Sequence, residues 1–407
     1  MGPLAGIKIL DLSRILAGPW ATQCLADFGA TVWKIEKPGS GDDTRHWGPP
    51  WIPDGKGKAT ADSAYYASTN RGKHSLAIDF TKPAGQQLIR SLALRADVLI
   101  ENCKVGTLAK YRLGYDLLKG VNPRLLYCSI SAFGQDGPAA AEPGYDAMIQ
   151  AVSGLMSVTG VPDGEPGAGP VKVGVAVSDL ITGLYAANAI TAALVEREQS
   201  GRGEYIDLAL LDTQVAALAN QALNYLVTGK PPRRQGTAHP NIVPYQAFAT
   251  RDSWLMLAVG NDRQFESFCR AAGAAKLAKD ARFRTNAGRV KNRVALVSAL
   301  EMLCRKRTTK DWVKLLTRAS VPCGPINDLA ETFADPQVKH RRMRFELPHA
   351  AGGKLPQVRN PAIFSRSALN YSKAPPLLGA DTDAILAAEL GLSGAEIRSL
   401  RSNGTIG

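Results

Sequence analysis

Along the first 133 residues, short apolar runs alternate with longer stretches of helical period. GIKILDL (6–12), TVWKIE (31–36), SLAIDF (75–80), DVLIEN (97–102) and RLLYCSISAF (124–133) are rich in β-branched and aromatic residues, which predicts strands. Between them, SRILAGPWATQCLADFG holds a turn and then a helical pattern that stops at Gly29. KPAGQQLIRSLALRA carries Pro83 near its first turn, where the missing N–H breaks no helical bond. A short helix is expected around Leu108–Tyr111. Strands alternating with helices predict an α/β domain with a largely parallel sheet. Ligands of such sheets sit beyond the strand C-termini, which here lead into SRILAGP, KPGSGDDTR, DFTKP, ENCKVG and SAFGQDGP.

Residues 37–74 read as a long loop-rich stretch, in which Trp47, Trp51, Tyr65 and Tyr66 argue against disorder. Residues 145–159, 180–197 and 213–228 read as helices, with EYIDLALL as a strand between the last two. GKPPRRQG (229–236) has the composition of a linker. Beyond it, VPYQAFATRD and SWLMLAVGN predict an antiparallel pair, followed by helices near 262–272, 287–304 and 309–319. From Arg344 onward the chain turns to short strands, Gly/Pro turns and a helical tail. The expected division is a large domain over 1–228, a smaller α+β domain over 229–330 and a C-terminal segment, 331–407.

Composition narrows the partners. The 407 residues suggest two domains, and the 45% hydrophobic content can fill a large core. The net charge of +13 favours anionic ligands. Its densest clusters, Arg305–Arg307 and Lys339–Arg342, are too short for a nucleic-acid arm, so no nucleic-acid partner is expected. Six cysteines without a C-x-x-C pair imply reduced thiols in a reducing compartment. No signal peptide is visible, and the uncharged runs 147–162, 180–195 and 213–229 are shorter than the roughly 18 residues of a membrane span. The expectation is a soluble, cytoplasmic protein without a membrane partner. Dinucleotide, P-loop, zincin and nucleophile-elbow fingerprints are all absent. The five histidines show no metal-ligand spacing, so no metal is expected.

One acid, Asp179, stands in the otherwise uncharged run from Gly174 to Val195. Such a carboxylate costs free energy unless it is paired, solvated or protonated. Two readings stay open. Ser178 or Asp179 starts a helix, and the carboxylate accepts its first-turn N–H groups. Alternatively the carboxylate does chemistry. Nearby signals bear on the second reading. Gly39–Arg45 is a loop rich in backbone donors, and Lys37, Lys73, Lys104 and Lys110 lie near strand ends where they can converge on an anion. Gly144-Tyr145-Asp146 opens a helix, and His239 follows the linker.

Taken in order, RILAGPWATQCLADFGATVWKIEKPGSGDDTR, NRGKHSLAIDF, ADVLIEN, the GYD opening, VAVSDLITGLYAANAITAALVEREQSGRGEYIDLALLD, VPCGPIND and the PPLLGADT tail resemble the class III CoA-transferases over essentially the whole chain. TAHPNIVPYQAF and GDDTRHWGPP are most similar to the branch acting on succinyl-CoA and glutarate. The resemblance implies a Rossmann-like large domain to which the C-terminal segment returns, a small domain inserted before that segment, and an interlocked homodimer. It implies CoA transfer between an acyl-CoA donor and a carboxylic acid, with coenzyme A as substrate and no permanently bound cofactor. Asp179 falls on the family's catalytic aspartate, which passes through an aspartyl-CoA thioester. CoA contacts fall on Leu16, Ala17, Lys37, Ile78, Asp79, Phe80, Thr81, Asn102, Cys103, Lys104, Lys110, Pro143, Gly144, Tyr145 and Asp146. Arg14 and Leu16 replace a histidine and glutamine of the formyl-CoA branch, Lys110 replaces an arginine, and the poly-glycine lid is absent. Those departures speak against formate and oxalate as substrates.

For a dicarboxylate acceptor, Arg45, Arg234 and His239 are the expected partners of the distal carboxylate. An aspartate at its ordinary pKa of about 3.9 is ionised at neutral pH, and a helix N-terminus would keep it so. Two alternatives remain. An α-methylacyl-CoA racemase is disfavoured because Tyr145 stands where that pattern has a histidine. A non-catalytic CoA- or nucleic-acid-binding protein is disfavoured by the intact Asp179.

Overall fold

The apolar runs of the N-terminal region pair into a single sheet. In the computed structural model, which describes all 407 residues, its strands are β1 (Lys8–Asp11), β2 (Thr31–Glu36), β3 (Lys73–Ala77), β4 (Val98–Glu101), β5 (Leu126–Ser131) and β6 (Tyr205–Ala209). All pairings are parallel, in the order β3-β2-β1-β4-β5-β6. The chain therefore leaves β1 in one direction and returns through β4 in the other. The loops after β1 and β4 flank the switch point at which ligands of open parallel sheets bind. The expected mixed α/β class with a parallel central sheet is what forms.

Both faces of the sheet are covered, which is why its strands read as nearly continuous apolar runs. The helices α1 (Ala17–Asp27), α2 (Pro83–Ala93), α3 (Asp146–Val152), α4 (Val177–Ser200) and α5 (Leu210–Ala217) follow in order. Leu10, Trp33, Ile35, Leu76 and Leu99 pack on one side with Leu88, Ile89 and Leu92 of α2. The alternate residues Ile9, Val32, Val98 and Ile100 pack on the other with Ala21 and Leu25 of α1 and Ala186 and Ile190 of α4. From the C-terminal segment, Leu386, Ile397 and Ile406 enter the first of these cores. The Asp79 N–H donates to Thr405 O at 2.8 Å.

Compact unit one comprises Met1–Leu155, Lys172–Lys230 and Lys339–Gly407; unit two comprises Met156–Val171 and Pro231–Val338. The boundaries thus differ from 1–228, 229–330 and 331–407. Residues 156–171 join the second unit because Gly160–Val161 and Gly169–Pro170 form a strand pair on which Arg234 rests, its Nε donating to Val161 O at 3.1 Å. In that unit Tyr245–Ala249, Trp254–Ala258 and Cys323–Pro325 form an antiparallel sheet. Phe248, Leu255, Phe265, Phe268, Leu300 and Trp312 fill its core.

Several helices break where the apolar pattern does not. The stretch 145–159 stops at Val152, with Gly154 at φ 91°. Residues 213–228 fall in two helices that meet at Leu218, and Ala219 takes φ 44°. The stretch 287–304 divides at Asn292. The supposed long loop 37–74 contains a 3-10 turn at Asp43–His46, a hairpin (Trp51–Pro53 with Ala59–Ser63) and a helix at Ala64–Thr69. Its anchor is Arg45. The guanidinium bonds Glu36, Asp62, Tyr66 and the carbonyl of Pro376, partners remote in sequence.

Candidate active site

Helix α4 begins at Val177, and its N-cap, Ala176, offers no side-chain oxygen. Asp179 lies in the first turn rather than at the cap, and its own carboxylate makes no hydrogen bond. The capping reading of Asp179 is therefore wrong. Asp146, the first residue of α3, does that work. Its Oδ1 accepts from the N–H groups of Ser178 at 2.8 Å and Asp179 at 3.3 Å. Its Oδ2 accepts from Gln150 Nε2 at 2.6 Å. Ser178 Oγ donates to Gln214 of α5 at 2.8 Å, so α3 and α5 together fix the turn of α4 that carries Asp179. One turn on, Gly183 crosses α1 so closely that a Cβ would come within 2.6 Å of Ala17 O.

This placement reverses the expected ionisation of Asp179. Burial, and then the negative charge of Asp146, push its carboxyl up to about 7. The favourable helix N-terminus is already shared with Asp146, and no cation compensates. Tyr65 belongs to the same surroundings. Burial, then the charges of Asp179 and Asp146, push its phenol up to about 12.

Asp179 opens on a cleft of about 200 Å³ walled by Arg14–Ala17, Asn102–Val105, Ile130–Ala132, Ala140, Glu142–Tyr145 and Leu210. Of the residues expected at CoA, this brings together Leu16, Ala17, Asn102, Cys103, Lys104, Pro143, Gly144 and Tyr145. A second cavity of about 450 Å³ holds Lys37, Phe80 and Thr81, and shares Arg14, Cys103 and Lys104 with the first. The N-terminus of α1, at Leu16–Ala17, has no side-chain cap and lines the Asp179 cleft.

Other expected contacts are placed elsewhere. Ile78 is 1% exposed and packs in the core, so its side chain is not a CoA contact. Asp79 spends its carboxylate on the N–H and hydroxyl of Thr81. Lys110 lies on the surface over the ring of Tyr111, which lines the second cavity. Lys73 is not an anion ligand either: it is fully buried, and its ammonium bonds Asp11, Asn70 and the carbonyl of Pro19. Among the three residues expected at a distal carboxylate, Arg45 is excluded. It is 2% exposed and forks onto Glu36 at 2.8 Å through both Nε and Nη2. Arg234 and His239 belong to the second unit. Arg234 pairs with Asp163, and His239 stacks on Tyr245 while its Nδ1 accepts from Asn241 N at 3.1 Å.

Sequence reasoning missed Tyr65 and underrated Arg14. Tyr65 was hidden in an apparent loop; its only signal was the aromatic density of that stretch. No group of three or more His, Cys, Asp or Glu side chains is arranged to hold a metal ion.

Residues 4–382 match the model of CoA-transferase family III. The chain is 48% identical over 385 residues, 95% of each protein, to the succinate–glutarate CoA-transferase of Agrobacterium fabrum. It is 43% identical to the succinyl-CoA:glutarate CoA-transferase of Mus musculus, over all of this chain and 91% of that one. The crystal structure of a CAIB/BAIF family protein from Brucella suis is 47% identical and superposes with a TM-score of 0.84, covering 95% of this chain and 99% of that one. The chain belongs to CoA-transferase family III and is a CoA-transferase.

Proposed function

We propose that this enzyme moves CoA from succinyl-CoA to a short dicarboxylate such as glutarate, through an aspartyl-CoA thioester on Asp179. The observation that carries the reading is a half-buried carboxylate without a hydrogen-bond donor, opening on a cleft that the uncapped start of α1 also lines. The names of the Agrobacterium and mouse relatives support the donor and acceptor.

In the first step an oxygen of Asp179 attacks the thioester carbonyl carbon, and the C–S bond breaks. A mixed anhydride and CoA thiolate result. The thiolate then attacks the aspartyl carbonyl, expelling the donor as its free carboxylate and leaving aspartyl-CoA. The acceptor carboxylate attacks that thioester and frees the thiolate again. Finally the thiolate takes the acceptor acyl group, and Asp179 leaves as carboxylate. One thioester replaces another, so the exchange needs no ATP. Each tetrahedral intermediate carries an oxyanion, for which backbone N–H groups at Leu16–Gly18 are the proposed donors. A pKa near 7 makes the ionised Asp179 more basic, hence more nucleophilic, than an ordinary carboxylate.

Lys37 and Lys104 are the proposed cations for the CoA phosphates. Arg234 and His239 remain proposed partners of the distal carboxylate. The strand order 3-2-1-4-5-6 supports a Rossmann-like reading of the large unit. Exposed Leu184, Tyr185, Val195, Leu223, Tyr225, Leu226 and Val227 give that unit an apolar surface, which supports a homodimer. Six free cysteines support a cytoplasmic setting.

The test is a transfer assay with succinyl-CoA against glutarate, other short dicarboxylates, oxalate, formate and carnitine. Highest kcat/KM with a dicarboxylate of four to six carbons is expected. Preference for formate, oxalate or carnitine would contradict the assignment.

A further inference from the structure

The loop after β1 is held in a conformation it would not adopt alone. Ile15 takes φ 71°, in the left-handed region that a β-branched side chain strongly disfavours. Three elements distant in sequence grip its surroundings. Lys34 of β2 donates to Ser13 O at 2.9 Å. Asn102, just beyond β4, clasps both backbone groups of Arg14: its Oδ1 accepts the N–H at 2.8 Å, and its Nδ2 donates to the carbonyl at 2.7 Å. Asp42 accepts the Ile15 N–H through both carboxylate oxygens, each at 3.2 Å. Asp42 is itself buried and paired with Lys34 at 2.9 Å. Gly18 permits the turn, since a Cβ there would lie 2.2 Å from Ser13 Cβ.

The place of this grip gives it meaning. Asn102 joins the loops after β1 and β4, the two strands that flank the switch point of the sheet. Arg14 lines both cavities, and Ile15, Leu16 and Ala17 wall the cleft of Asp179. The strained loop is therefore a partition between the Lys37 cavity and the reacting carboxylate. Each end of the Asn102 amide makes one hydrogen bond to Arg14, so the orientation of the side chain and that of the loop are fixed together.

We propose that Asn102 and Asp42 are positioning residues for the transfer reaction, holding Ile15 left-handed and so fixing the Leu16–Ala17 wall of the Asp179 cleft. The proposal rests on the transferase reading of that cleft. Strain retained at a reacting site persists only where the surroundings over-determine it. Misplacement of a reacting wall by about 1 Å lowers turnover on the order of 100-fold.

Asn102→Ala is the discriminating variant. Asn102 is only half-buried, whereas replacing Asp42 would also strand Lys34. Three readouts are compared with the wild type: amide hydrogen exchange of residues 13–17, the dissociation constant of CoA, and kcat with succinyl-CoA and glutarate. Expected are exchange faster by about tenfold and kcat at saturating succinyl-CoA lower by about 10- to 100-fold, a loss larger than any in CoA affinity. Asn102→Asp keeps an acceptor for the Arg14 N–H and should fall between the two. Unchanged exchange overturns the grip. Unchanged kcat, or a loss confined to CoA affinity, overturns the positioning role. A wild-type protein that transfers no CoA contradicts the transferase reading instead, and the exchange measurement still decides whether Asn102 holds the loop.

Discussion

Two sets of carboxylates withdrawn from solvent, wholly or in part, both in the large unit, behave in opposite ways. Behind the Gly39–Arg45 loop, Glu36 and Asp62 face Arg45 at 2.8 Å, and Asp42 faces Lys34 at 2.9 Å. Burial pushes Glu36 and Asp42 up, but Arg45 on the first and Lys34 on the second outweigh it and hold both below the usual range. At the start of α4, burial acts on Asp179 with no cation to oppose it and a second acid, Asp146, beside it. Burial alone thus does not mark a reactive acid. What separates the two sets is pairing: the first is matched by Arg45 and Lys34, and the second leaves Asp179 without a cation, which suits the nucleophile proposed for it.

Removing the unpaired charge should have the largest effect. Asp179→Asn is expected to lower kcat by about 10⁴-fold or more, as loss of a nucleophile does. It should also melt higher than the wild type. A carboxyl raised from an unfolded value of 3.8 to about 7 binds its proton more tightly in the native state, so the wild type loses stability as pH rises from about 4 to 7. The melting advantage of Asp179→Asn should grow across that window and level off above it. A variant less stable than wild type at pH 8 would contradict this.

The paired set should respond in stability. Arg45→Ala leaves Glu36 and Asp62 buried without their cation, a loss of about 3–5 kcal/mol in urea unfolding. Were Arg45 instead an acceptor ligand, the variant would unfold normally and show only a raised KM for glutarate.

Wild-type pH dependence is a smaller effect. Attack needs the ionised form, so kcat/KM should rise about tenfold between pH 6 and 8, with a midpoint near 7. A rate flat from pH 5 to 8 would place Asp179 in an ordinary environment. The smallest change is expected from Asp146→Asn, which keeps an acceptor for the Ser178 N–H but removes the second cause of the shift. Its midpoint should move below that of the wild type, though not to 3.8, because burial remains the larger cause. An upward or unchanged midpoint would remove Asp146 from the account.

Sequence pattern revealed most of what is locally encoded. TVWKIE reads as a strand because Val32, Trp33 and Ile35 are buried on alternating faces of a sheet covered on both sides. The start of the Asp179 helix was legible to within a turn. Its cap was not, because Asp146 lies 32 residues before Ser178 and no local pattern connects them. The stretch 37–74 was opaque for a related reason. Its short elements depend on Arg45, whose partner carbonyl at Pro376 is 331 residues away. Arg45 looked like a ligand because a loop arginine near a strand end is indistinguishable, in one dimension, from one folded inward. Ile15 gave no signal at all, since glycine is the residue that usually marks a left-handed turn.

The central claim is that Asp179 is a nucleophile held in reserve. Its most direct test is peptide-mapped mass spectrometry of the protein quenched during turnover with succinyl-CoA. The account predicts a CoA or succinyl adduct on the peptide that contains Asp179, absent from Asp179→Asn. Turnover at a wild-type rate with no adduct on that peptide, or an adduct that persists in Asp179→Asn, would contradict it.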